Sequence, residues 1–287
     1  MRLSRTALLI AGAVTLAGGG YAIAQSAAIG VAAAVVKDVR FSNAASPKPK
    51  PVTLKQRIAL GDLIQTGKGS QLQLLLLDRS SFSIGANASL RIDRFVYDPA
   101  RGRGAGAGVA RGAFRFMSGN QSRGNSATIT TPVATIGIRG TILDGLVGVA
   151  VRDVLKGEIK QVKDAKADKQ TATLVVLRGP GARTEPGALV GSASVTSGGV
   201  TVELTGPMQA AYVPRAGAAP IGPFRLSQGG LAKLNEQIFP GQASGGNGLL
   251  GALIGGALVA LPILTSGDGK RPDSSPQPDP AGRPGKP

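Results

Sequence analysis

Neither cysteine nor histidine occurs among the 287 residues. Without cysteine there can be no disulfide, no lipidated N-terminal thiol and no thiolate metal ligand. Losing histidine as well removes the commonest general base and the commonest imidazole ligand. Catalysis would have to rely on carboxylate pairs or on serine activated by lysine, and no lysine has a serine three residues before it. Asp93 and Asp98, five positions apart on an expected strand, point to opposite faces and make a poor acid–base pair. No enzyme activity, catalytic residue, cofactor or metal is therefore expected.

Aromatic residues are also scarce, at 3%. The core must come from Val, Ile, Leu and Ala, and there are few platforms on which bases could stack. With no recognisable reader motif either, nucleic acid is not an expected partner. Acidic residues are few, 16 against 33 basic ones, for a formal charge of +17. Much of that excess lies between Lys37 and Gly145, with 16 basic and 6 acidic residues. A surface of this sign attracts an acidic protein, an anionic glycan or an anionic lipid.

What the chain has in quantity is glycine and proline, 43 and 19 residues, which implies many turns. The clearest sheet signal is residues 126–147, SATITTPVATIGIRGTILDGLV. Thr128 and Thr130 alternate with Ile129, and Ile136, Ile138 and Ile142 continue the pattern. Pro132 cannot donate to a ladder, so a new strand or an edge begins there. Gly137 and Gly140 flank Arg139, which places that cation at a bend. Amid apolar positions Arg139 is expected to be buried and paired with Asp144, Asp62, Asp78 or Asp93. The competing reading makes it an anion contact for a ligand or partner.

In chain order, residues 1–24 read as an export signal. Arg2 and Arg5 precede an apolar stretch, and Ala22-Ile23-Ala24 forms a cleavage site that leaves Gln25 first. Residues 33–41 read as a first strand, 46–51 (SPKPKP) as an extended loop and 72–77 (LQLLLL) as a strand covered on both faces. Residues 99–108 (PARGRGAGAG) read as a flexible hairpin tip, and in 111–117 Phe114 and Phe116 oppose Ala113, Arg115 and Met117. Further on, short strands are expected at 149–154, 174–177, 192–195 and 200–204. A solvated hairpin end is expected at 160–169 and irregular chain at 214–223. Residues 228–239 carry Leu231, Leu234 and Ile238 at helical spacing behind Ser227, a helix with its N-cap. An uncharged run beginning at Asn247 and ending at Thr265 is a candidate for membrane association, and the tail from 267 is expected to be disordered.

Thr131 through Thr141, TPVATIGIRGT, resembles the signature that ends the FecR domain, a family named for a ferric-citrate regulator of the bacterial envelope. Gly61-Asp62 with Ile64-Gln65-Thr66-Gly67 resembles an earlier step of that domain, and 80–90, 91–99 and 112–119 resemble its next strands. Arg79 stands where the family often has glycine after the aspartate. The resemblance implies a mainly β domain over 25–147, a compact sheet, short solenoid or sandwich. A β extension over 148–226, a helix over 227–241 and the apolar Gly-rich segment 242–266 would follow it. It implies a non-enzymatic binding module of the periplasm or cell envelope, linked to signalling or to sensing a ligand or partner. The alternative is a membrane-anchored structural or assembly component. Site candidates are Arg139 with Gly137, Gly140, Thr141, Thr131 and Pro132. Expected partners are an envelope protein or an anionic glycan or lipid.

Overall fold

The computed structural model describes residues 28–98, 102–119, 126–179 and 191–241. The stretch read as an export signal, the run from 247 to 265 and the tail lie outside them. The protein is mainly β, with 17 strands in one hydrogen-bonded network. The first nine are β1 (Ala28–Val36), β2 (Val39–Ser42), β3 (Lys50–Pro51), β4 (Arg57–Ala59), β5 (Leu63–Thr66), β6 (Gln71–Leu76), β7 (Ser81–Ile84), β8 (Ser89–Asp98) and β9 (Gly102–Met117). Then come β10 (Ser126–Thr130), β11 (Thr135–Arg139), β12 (Ile142–Val147), α1 (Val151–Val154) and α2 (Lys160–Asp164). The chain continues with β13 (Thr173–Gly179), β14 (Ser192–Ser197), β15 (Val200–Leu204), β16 (Gln209–Val213), β17 (Ile221–Arg225) and α3 (Gln228–Ile238).

The network folds into two layers that share β9. One layer runs β4-β1-β6-β7-β9-β12-β13-β16-β17, antiparallel throughout. The other runs β3-β2-β5-β8-β9-β10-β11-β14-β15, with β9 and β10 parallel. Strand β9 passes from one layer to the other at Gly112, whose φ is 92°. A Cβ there would stand 2.3 Å from the Cα of Ala88, so no other residue fits the crossing.

Alternation puts one face of each layer into a shared core. Leu72, Leu74, Phe82, Ile84, Phe114 and Phe116 from the first layer meet Ile64, Leu90, Ile92, Ile129, Ile136 and Val195 from the second. The Phe82 and Phe116 rings pack tilted at 4.8 Å. The first half of β9 joins this core: Ala105, Ala107 and Val109 are buried, while the alternating glycines sit on the outside. Residues 102–108, expected as a loop, are therefore strand. A Gly–Ala alternation carries a weak hydrophobic signal but keeps the two-residue period.

The outer face of the first layer is apolar too, and a second cluster covers it. Leu146, Leu174, Val176, Ala210 and Phe224 pack beneath Val151 and Val154 of α1 and Leu231, Leu234 and Ile238 of α3. The Ser227 hydroxyl caps α3 by accepting from the N–H of Gly230 at 3.0 Å. That hydroxyl in turn donates to buried Glu158 at 2.6 Å, so a carboxylate lies at the helix's positive end.

Several expectations are corrected. Residues 151–154, read as strand, form the short helix α1 after Gly148 turns the chain with φ 99°. Val151 and Val154 are buried three positions apart, a helical spacing. Lys160–Asp164, read as a hairpin end, is the helical turn α2. Part of the stretch read as irregular pairs as β17. Strand β6 is not covered on both faces: Leu72, Leu74 and Leu76 are buried, Leu75 is half-buried and Leu77 is exposed. The first expected strand breaks in two at Lys37, where φ is 59°. No helix among the described residues is long and apolar enough to cross a membrane.

Candidate binding face

Residues 131–141 build a turn, a strand and a crossing between layers. The Thr131 hydroxyl accepts from the N–H groups of Val133 and Ala134, and the Thr131 N–H donates to the Ala134 carbonyl at 2.8 Å. Pro132 occupies the exposed second position of this tight turn, where its φ is already suitable. Strand β11 then runs antiparallel to β10 and β14. At Gly140, with φ 61°, the chain leaves the second layer for the first. Thr141, fully buried, donates its hydroxyl to the Gly179 carbonyl, and its N–H meets the Ser118 hydroxyl at 3.2 Å. Thr131, Pro132, Gly140 and Thr141 are thus held by the framework. Gly137 leaves the room that the Ser194 hydroxyl takes, 2.6 Å from where a Cβ would stand.

The earlier step at Gly61 to Gly67 serves the framework as well. Asp62 is buried and accepts from the Ala59 N–H and the Asn43 amide, each at 2.8 Å. The Thr66 hydroxyl donates to the Gly85 carbonyl and accepts from the Ala88 N–H. Arg79, in the place of glycine, adopts φ 67°, so the turn is kept with an arginine in the left-handed region.

Arg139 does not sit in the core. It is exposed at the end of β11 and makes no ion pair among the described residues. Hydroxyls and glycines surround it on the outer face of the second layer. One row across the strands is Gly108, Thr130, Thr135, Thr196 and Thr201. The next is Gly106, Thr128, Gly137, Ser194 and Glu203, and Arg139 stands opposite Ser192 beyond it. Exposed Arg91 and Arg94 on β8 lie opposite Gly108 and Gly106. The face is rich in hydroxyls and bordered by guanidinium groups, with two carboxylates also on it, exposed Glu203 and Asp93, whose Oδ2 lies beside Gly108.

The buried ion pair assigned by expectation to Arg139 belongs to other residues. Asp144 on β12 is fully buried on the outer face of the first layer. Arg115 holds it through two prongs, Nε–Oδ1 at 2.6 Å and Nη2–Oδ2 at 2.8 Å. Arg178 adds Nε–Oδ2 at 3.5 Å. From α3, Asn235 accepts from Arg115 at 3.0 Å, and the Phe239 ring lies 4.9 Å from the guanidinium carbon. Burial pulls the pKa of Arg115 down, but the hydrogen bonds and charge of Asp144 together leave it above its usual value. For Arg178 burial prevails over Asp144, with repulsion from Arg115 adding to it, and its pKa falls. Sequence reasoning had put Arg115 on the face opposite the phenylalanines. Its partner depends on β9 pairing with β12, which places Arg115 directly across from Asp144. Among the described residues no group of three or more acidic side chains could hold a metal.

Residues 62–179 match the family described as FecR protein. Two crystal structures of a "putative anti-sigma factor" from Parabacteroides distasonis, at 1.65 and 2.50 Å resolution, are also similar. Each is 13% identical to this chain with a TM-score of 0.38, covering 57% of this chain and 60% of theirs. This chain thus spans under two thirds of their length. No curated protein matches it.

Proposed function

We propose that this chain, which carries a FecR domain over residues 62–179, is a non-enzymatic binding module of the bacterial cell envelope. FecR domains typically form the periplasmic parts of envelope signalling proteins. In this reading the domain recognises an acidic protein surface through the Arg139 face. The supporting observation is a division of labour between arginines. Arg115 and Arg178 supply the pairing that buried Asp144 requires, while Arg139 is held at the end of a central strand and left to solvent. A guanidinium that starts from a hydrogen-bonded strand and has no ion-pair partner among the described residues is suited to partner contact, because no internal pair must be broken on binding and the cost is that of ordering one side chain. Export through residues 1–24 belongs to the same reading.

Capture from an envelope extract tests it, with wild type and Arg139→Glu as baits matched for thermal midpoint. A protein held by the wild type and lost from the Arg139→Glu bait at equal salt supports the reading. Identical capture by both baits would move the interaction to another face. The uncharged run ending at Thr265 favours a second reading, a membrane-anchored component. Retention in membranes after a carbonate wash distinguishes it from a module released by salt.

A further inference from the structure

We infer that the cleft between α1 and α2 is a binding site for a medium-chain carboxylate, with its acyl body against the aliphatic wall and its head group met by the Tyr212 hydroxyl and a cationic rim. The inference concerns a different face from Arg139 and does not rest on the proposed function. The cleft has a volume of about 610 Å³, within the usual range of small-molecule sites, about 300–1,000 Å³. Val151 of α1, Leu155 at its C-terminal cap, Val162 of α2 and Ala172 form its apolar lining. Exposed Arg152, Lys156 and Lys169 stand around it against a single carboxylate, Asp153. The balance suits a monoanion and disfavours a cation.

Tyr212 makes this more than a gap between short helices. It lies on β16, lines the cleft and is only 4% exposed. Its ring is buried, while its hydroxyl is open to the cleft and has no hydrogen-bond partner among the described residues, so it is free to donate to a ligand there. Burial also raises its pKa, which keeps the phenol a donor well above neutral pH. A carboxylate is the acceptor that this donor and the rim charges would share. The surroundings are tied in place, because Lys233 of α3 donates to the Asp153 carbonyl at 3.0 Å.

The test is isothermal titration of the full chain with octanoate, 1-octanol and octylammonium, all well below micellar concentration. Octanoate is expected to saturate one site, octanol to bind at least about tenfold more weakly, and octylammonium not to bind. Tyr212→Phe, which keeps the ring, should weaken octanoate about tenfold. Ala167→Trp, at an exposed position lining the cleft, should abolish binding without altering the circular dichroism. Absence of saturable octanoate binding would overturn the inference. Equal binding of octanoate and octylammonium, or an affinity unchanged in both variants, would do so as well.

Discussion

The two outer faces of this sandwich are made by the same alternation and meet opposite fates. On the first layer, Leu146, Leu174 and Val176 face outward with Asp144 and Arg115 among them, and helix α3 closes over them. On the second, threonine, serine and glycine face outward, and no helix lies over them among the described residues. The first face must satisfy its charges internally, because a buried carboxylate without a partner is costly. The second can leave Arg139 in water at no such cost. Position in a strand therefore decides little about a charged residue until the cover over that face is known.

Removing the inner charge should have the largest effect. Asp144→Ala strands Arg115 and Arg178 beneath α3 and is expected to cost about 3–5 kcal/mol in urea unfolding. A loss under about 1 kcal/mol would mean the pair is solvated and the contrast between the faces is weak. Leu234→Ala, at a fully buried position of α3, tests the cover itself. The expected loss is about 2–5 kcal/mol, and native-state hydrogen exchange should quicken in β12 and β13 before β10 and β11. Uniform quickening would show that the two faces are not separable.

Much of this arrangement was legible beforehand. Alternation in 126–147 and short β-branched runs beyond it marked β10 to β15, with α1 and α2 between β12 and β13 missed, and Leu231, Leu234 and Ile238 behind Ser227 marked α3. Three things were hidden, for physical reasons. Glycine alternating with alanine in β9 resembles a loop, since its signal is burial of small side chains and not hydrophobicity. Valines three apart in α1 resemble a short strand until Gly148 is seen to turn the chain. Arg115 and Arg139 each sit among apolar strand neighbours, and only the cross-strand register tells which one faces Asp144. Pro132 was read as the start of a new strand or an edge, and β11 follows it from Thr135 after a tight turn that the Thr131 hydroxyl closes.

A smaller effect belongs to the cap that anchors the cover. Ser227→Ala removes the bond to Gly230 and the hydroxyl's bond to Glu158 while the backbone N–H stays on that carboxylate, for an expected loss of about 1 kcal/mol. Ser227→Asp should cap the helix but repel Glu158, so it should not restore stability fully. Full restoration would show that Glu158 contributes nothing there. The smallest effect is at high pH. Burial raises the pKa of Tyr212, so the folded state holds this proton longer than the unfolded chain. Stability from this group is complete below about pH 10, the unfolded value, and declines as pH rises from there toward the folded value. Tyr212→Phe should flatten that part of the profile, and an identical slope in both proteins would exclude the residue as its source.

The central claim is that Arg115, and not Arg139, holds the buried carboxylate of Asp144. Urea unfolding of Arg115→Ala and Arg139→Ala beside wild type, at one pH and ionic strength, tests it most directly. Arg115→Ala should lose about 3–5 kcal/mol, while Arg139→Ala should stay within about 0.5 kcal/mol of wild type. A loss in Arg139→Ala equal to that in Arg115→Ala would contradict the account and return Arg139 to the interior.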